Sequence, residues 1–203
     1  MMKSNSTALL FALCAILFPI LSNAEVSKAP PASSFQISSG QMQFDALGRP
    51  SALKIHGVGT GVSGEIKATG NLMKGKFLFK PETLDTGLKL RNEHMKKKYL
   101  ETDKFPDAVL VLDELTIPKS ATDTVQTAEN VPFKGHLTLH GVEKPVQGTA
   151  LINFSKSKFD GDASFSVKTS DFQINTPSFA GVTMGEDVQV KVSFTSSVAG
   201  AKL

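Results

Sequence analysis

Residues 86–106 read TGLKLRNEHMKKKYLETDKFP, the one long stretch of this chain without an every-other-residue apolar pattern. Leu84, Leu88, Met95 and Tyr99 stand at offsets of four, eleven and fifteen, close to a 3.6-residue period, so they share one stripe of a helix. Lys89, Lys96 and Lys97 fall largely off that stripe. Asp85 or Thr86 is placed to cap the start, and Pro106 stops the helix near Phe105. Lys96, Lys97 and Lys98 gather where the negative end of the helix dipole would lie. The sequence therefore predicts a single helix that plugs or covers a structure otherwise made of strands.

On either side of that stretch, apolar and polar residues alternate, as half-buried antiparallel strands require. Before it, Met42 and Phe44, Leu53 and Ile55, Val62, Ile66 and Ala68, and Phe77 and Phe79 mark four strands. After it, Ala108–Ile117 is apolar on both faces in its first half, which predicts a strand covered on both sides, with the helix as the candidate cover. Strict alternation returns in three segments: Phe133, Leu137 and Leu139; Val146, Ala150, Ile152 and Phe154; Phe159, Ala163, Phe165 and Val167. Val188, Val190, Val192 and Phe194 close the series. Strands joined by Gly, Pro, Asn and Asp turns imply an up-and-down barrel or a sandwich, and the barrel is favoured because closure leaves no exposed edge. Residues 119–130, KSATDTVQTAEN, read as an exposed loop, and residues 175–185, NTPSFAGVTMG, as a longer connection and candidate lid.

The start of the chain reads as an export address. Lys3 precedes an apolar run from Ala8 to Leu21, and Ser22-Asn23-Ala24 forms a small-x-small cleavage site. The run is shorter than the ~20 residues a spanning helix needs, so residues 1–24 are expected to be removed and the rest exported to the periplasm, not held as an integral membrane protein. Leu13 ahead of Cys14 argues against a lipoprotein box. Residues 25–34, EVSKAPPASS, read as a flexible lead, and 35–203 as a single barrel domain.

Cys14 is the one cysteine, so the exported chain would hold no disulfide, no thiolate metal site and no Cys nucleophile. Without Lys3, 21 basic residues face 19 acidic ones, a balance that gives no case for a nucleic-acid partner. Fourteen Phe, one Tyr and no Trp suit a dry lining, since Phe has no polar tip to satisfy. The lack of Trp and the charges on the polar strand faces speak against a transmembrane barrel with aromatic girdles.

Three sharper motifs fail on context. Gly59-Thr60-Gly61-Val62-Ser63-Gly64 matches a dinucleotide fingerprint letter for letter, but a strand pattern follows it where a helix should open, so it reads as a tight strand connection. His136 and His140 share one strand face, yet four residues of strand separate them by ~13 Å, too far for one ion, and both are expected to face solvent. No nucleophile elbow or zincin helix occurs and no carboxylate pair can be placed in one cleft, so no catalytic residue, cofactor or metal ligand is assigned.

Three stretches resemble the YceI-like family of exported bacterial proteins: Asp85-Thr86-Gly87 with Arg91-Asn92-Glu93-His94-Met95, Tyr99-Leu100 and Lys104-Phe105-Pro106; Gly135 to Val146; and Ser170 to Ile174 with Val188 to Phe194. The likeness spans Phe35 to Phe194, and Asn92 stands where many relatives carry Asp. The resemblance implies an all-β, lipocalin-like antiparallel barrel of about eight strands with one short α-helix. It also implies an elongated apolar tunnel for a long-chain amphiphile, a polyisoprenoid or isoprenoid quinone-like lipid, and, in some members, a homodimer. On inward strand parity, Phe77, Phe79, Phe133, Phe154, Phe165 and Phe194 would line the tunnel. Arg91 and His94 would make polar contacts near one end or else fasten the helix to the barrel. Two other readings stay open. A stress-related interaction module would have apolar side chains touching across a filled interior. An enzyme acting on a bound lipid would need His94 or His56 inside the cavity beside a carboxylate.

Overall fold

The structure is a computed structural model and describes residues 32–49, 53–119, 121–179 and 182–198. The expected export signal and residues 25–31 of the lead lie outside the described residues. Ten strands follow in order: β1 (Ala32–Arg49), β2 (Lys54–Thr60), β3 (Ser63–Thr69), β4 (Leu72–Phe79), β5 (Ala108–Thr116), β6 (Gln126–Leu139), β7 (Val142–Phe154), β8 (Phe159–Lys168), β9 (Ser178–Phe179) and β10 (Val182–Val198). Neighbours pair in the order β1-β3-β4-β5-β6-β7-β8-β10, and β10 pairs back onto β1, so eight antiparallel strands close a barrel. The all-β, lipocalin-like barrel with one short helix expected from the sequence is the fold observed.

β2 and β3 are two halves of one long strand. Both lie along the same edge of β1, β3 against Ala32–Ile37 and β2 against Gln41–Leu47. The interruption at Gly61-Val62 puts Gly61 at φ +81, a left-handed conformation that costs glycine nothing. Gly59, inside the same G-x-G-x-x-G run, leaves room for the Phe79 ring, which a Cβ would meet at 2.4 Å. The motif is thus a strand junction, as its context required.

β4 ends at Phe79 while β2 runs on past it, leaving the outer edge of β2 without a strand partner. The chain after β4 takes that place: Val58 N–H donates to the Asp85 carbonyl at 2.9 Å, and Asp85 N–H donates back at 2.8 Å. This bridge anchors the helical segment at one end of the barrel. The segment is shorter than residues 86–106 predict. Helix α1 covers only Lys89–His94 and widens into a π-helical turn over Met95–Tyr99. Gly87 at φ +79 prevents an earlier start, and the residue before the first turn is the extended Leu88, not Asp85 or Thr86. The apolar stripe splits accordingly: Leu84 is buried and Met95 and Tyr99 pack on the core, while Leu88 is 58% exposed.

Three other expectations need correction. β1 begins at Ala32, inside the supposed lead, because residues 32–34 already pair with β3. β6 begins at Gln126, inside the supposed loop, where a bulge between Ala128 and Val131, with Asn130 at φ +54, breaks the period of two that would have revealed the strand. β5 is not covered on its outer face: Val111 is 36% exposed there, between Lys76 and His136, because the helix sits at the barrel's end and not over its flank.

The interior divides along the barrel axis. Away from the helix it is solid: Phe35 meets Phe159 with ring centroids 5.9 Å apart, Phe159 stacks on Phe194 at 6.1 Å, and Phe194 meets Phe77 edge-on at 5.4 Å. Ile66, Ile117, Ile152 and Phe154 complete this end, each at most 1% exposed. Phe77, Ile152, Phe159 and Phe194 of this end also border the space beyond them, and toward the helix the interior opens.

Candidate functional site

The open half of the barrel is a single cavity of about 730 Å³, inside the ~300–1,000 Å³ typical of small-molecule sites. Its wall combines the small Ala46, Ala108, Ala150 and Ala163 with the rings of Phe44, Phe77, Phe79, Phe133, Phe165 and Phe194. Among the described residues the wall includes no Asp or Glu; its ionisable members are Lys89, Arg91, His94 and Tyr99, all in the helical segment. The site is therefore an apolar tube with a cationic collar at one end.

Seven of the eight sequence-predicted residues lie on this wall: Phe77, Phe79, Phe133, Phe165 and Phe194 in the barrel, and Arg91 and His94 in the helix. Phe154 does not. It is 1% exposed in the solid half, where it pairs with Phe159 and Gln126. Inward parity gives a side chain's direction but not its depth along the axis. Sequence reasoning also missed the rim residues Leu88, Leu90, Pro177 and Met184. For the two leucines the available signal was apolar residues alternating with Lys89 and Arg91, which no helix needs for its own packing. Residues 175–185, expected as a lid, are largely the β9–β10 hairpin, and Pro177, Ser178, Met184 and Gly185 form part of the rim.

The helical segment is fastened at both ends by side chains. At its start, Asn92 Oδ1 accepts from Thr86 N–H at 2.9 Å and from the Thr86 hydroxyl at 2.7 Å, while Asn92 Nδ2 donates to Asp85 Oδ1 at 2.7 Å. Arg91 Nε donates to the Thr86 hydroxyl at 2.8 Å and Nη2 to the Thr86 carbonyl at 2.5 Å. Arg91 thus fastens the helix through two of its five N–H groups, and among the described residues it forms no ion pair. At the far end, the Thr102 hydroxyl donates to Glu82 at 2.7 Å, and Lys96 pairs with Glu82 at 3.6 Å.

His140 completes that far clamp and corrects a second expectation. It does not share a solvent-facing side with His136: it sits in the turn after β6 at φ +52, its side chain only 11% exposed. Its Nε2 lies 3.1 Å from Glu101 Oε2, its Nδ1 3.1 Å from the Phe172 carbonyl, and its ring 4.5 Å from that of Phe105. His136 remains on the outer face with Asp113 at 2.5 Å, and His56 likewise with Asp45 at 3.0 Å. Of the histidines considered for catalysis, only His94 borders the cavity, and no carboxylate joins it on the wall.

The Asn92 amide uses a donor and an acceptor at once, which an aspartate cannot do. Asn92→Asp would set a second carboxylate against Asp85, a carboxyl already held below its ordinary range by the Asn92 amide and the Gly87 N–H. The variant should melt earlier than the parent at pH 7, and the gap should close near pH 4 as the pair takes up a proton. Equal melting curves across that range would refute the clamp.

A second prediction concerns acid. Glu101 is held below its ordinary 4.5 by Lys104 first and His140 second, and Asp85 below its ordinary 3.8. Depressed carboxylates stabilise the fold fully above those values, and the contribution is lost as pH falls through the lowered ones. Amide hydrogen exchange should therefore show residues 86–105 losing protection at pH 3 before the barrel strands do. Full protection of the segment at pH 3 would contradict this.

Comparison with known proteins follows the geometry. A family profile described as the YceI-like domain matches residues 30–196. No curated protein sequence matches. Among solved structures, the chain is similar to a polyisoprenoid binding domain from Saccharophagus degradans implicated in plant cell wall breakdown, at 13% identity and TM-score 0.61, over 82% of this chain and 99% of that one. It is also similar to BcnA of Burkholderia cenocepacia, at 15% identity and TM-score 0.61, over 77% and 95%. A Campylobacter jejuni YCEI protein follows at 18% identity and TM-score 0.51, over 70% and 83%. At such identities these likenesses speak for the fold. With the profile covering all eight barrel strands and the helical segment, the chain belongs to the YceI-like domain family.

Proposed function

We propose that the protein is an exported carrier or sequestering protein that holds the tail of a long-chain amphiphile, a polyisoprenoid or isoprenoid quinone-like lipid, inside the barrel. The observation that carries this reading is the apolar cavity of about 730 Å³ with its charged groups confined to the helical end. Burial at ~25 cal/mol per Å² of apolar surface lets a prenyl chain bind without a polar contact along its length. Arg91 and His94, which line the cavity in the helical segment, would meet the head of such a lipid. The polyisoprenoid-binding description of the Saccharophagus relative supports the choice of lipid class. The filled interior that an interaction module requires is met only in the solid half of the barrel.

The test is competition. A fluorescent fatty-acid probe bound by the purified chain should be displaced by prenols and isoprenoid quinones in a one-to-one fashion. A probe that never binds, or that no long-chain lipid displaces, would remove the carrier reading. Export is tested separately: fractionation should place the chain in the periplasm with its first residue at Glu25, and a cytoplasmic chain that keeps residues 1–24 would oppose it.

A further inference from the structure

We propose that the rim of the cavity is a docking surface for an anionic lipid bilayer. The proposal rests on the carrier reading for its purpose, since a lipid with a long apolar tail must be taken from or given to a membrane. Seven large apolar side chains are exposed among the described residues, and four of them belong to the open end: Leu47 at 58% and Leu53 at 41% in the β1–β2 hairpin, Leu88 at 58% and Leu90 at 57% at the start of α1. Leu53, Leu88 and Leu90 border the cavity, so their exposed surface continues its apolar wall outward. Scattered exposed leucines need no explanation, but a group bordering the cavity does.

Charge selects the partner. Residues 88–99 carry five cations, Lys89, Arg91, Lys96, Lys97 and Lys98, against one carboxylate, Glu93. Among the described residues, Lys96 is the one of these that pairs with a carboxylate, Glu82; Lys98 lies over the Tyr99 ring, 5.3 Å from its centroid. The carboxylates Glu82, Asp85, Glu93 and Asp103 gather with Lys96 and Lys97 around a second depression, which Lys89 also borders, whereas the cavity itself is bordered by Lys89 and Arg91 and by no carboxylate. Leu88 and Leu90, which alternate with Lys89 and Arg91 on the cavity side, fit the interfacial zone of a membrane, with the leucines among the acyl chains and the cations among anionic headgroups. A bilayer engaged in this way would face the opening directly, so a lipid could cross between membrane and cavity without exposing its tail to water.

The chain has no Trp, so Leu90→Trp installs a single fluorescent reporter on the rim. Its emission should shift to the blue with vesicles of dioleoylphosphatidylglycerol and stay unchanged with vesicles of dioleoylphosphatidylcholine, and added salt should reverse the shift. In flotation with the phosphatidylglycerol vesicles, Lys89→Gln should weaken binding about fivefold. Leu88→Ser with Leu90→Ser should weaken it at least about tenfold. Equal partitioning to both vesicles, or to neither, overturns the proposal. So does a blue shift that needs no vesicles and grows with protein concentration, which would put a second copy of the chain on the rim. Loading of the unmodified protein with a prenol delivered from cyclodextrin is measured apart. Loading without vesicle binding sinks the docking surface alone; vesicle binding without loading supports the surface and sinks the carrier reading.

Discussion

Phe165→Asp should abolish lipid retention. Phe165 is 7% exposed, packs edge-on against Phe133 with ring centroids 6.0 Å apart, and stands on the cavity wall. The substitution removes a large apolar surface and puts a carboxyl on a wall that offers it no cation in the barrel itself. The carboxylate must either draw water into the tube or accept a proton, and both oppose an alkyl chain. A loss of at least about a hundredfold in affinity follows from some 3 kcal/mol of opposed burial. Because loss of a buried Phe side chain also destabilises, Ala163→Trp is the companion: Ala163 stands on the same wall, and an indole there fills the cavity without burying a charge. Both variants should lose the ligand while their circular dichroism stays that of a barrel. A folded Phe165→Asp chain that keeps its lipid would show that this wall is not the binding surface.

Phe154→Ala should do the reverse. Phe154 is 1% exposed, lies off the cavity and belongs to the solid half of the core. Emptying that site should cost about 3–5 kcal/mol, or roughly 6–20 °C in the melting temperature of a domain this size. Lipid retention per folded molecule should be unchanged. Thermal melting and a retention assay on the same sample would separate the two halves of the interior. Loss of retention with an unchanged melting temperature would mean that the division drawn here is wrong.

Most of the fold could be read from the sequence because a strand's two faces are written into alternate residues, and nine such segments were visible. Three of the failures share a cause. Each arises where one residue in an unusual conformation decides a boundary: Gly87 shortens the helix, Asn130 hides the start of β6, and His140 turns out of the face that His136 occupies. Such positions follow from tertiary contacts, as when the His140 ring meets Glu101 and Phe172 from distant parts of the chain. The site was legible to the same degree. Parity found the inward phenylalanines, but whether an inward residue meets a void or another ring depends on what stands across the barrel. Ala46, Ala108, Ala150 and Ala163 decide that jointly, and no single strand reveals it.

Asn92 shows a third limit. From sequence alone, Asn in place of Asp at this position bears on charge. In the structure it bears on hydrogen-bond polarity, because Thr86 donates to one end of the amide and Asp85 accepts from the other.

The central claim is that the open half of the barrel holds a lipid tail, and native mass spectrometry of the chain purified without detergent tests it most directly. The account expects the chain mass plus one long-chain isoprenoid, identified after organic extraction. A bare chain mass that stays unchanged after incubation with quinones, prenols and fatty acids would contradict it.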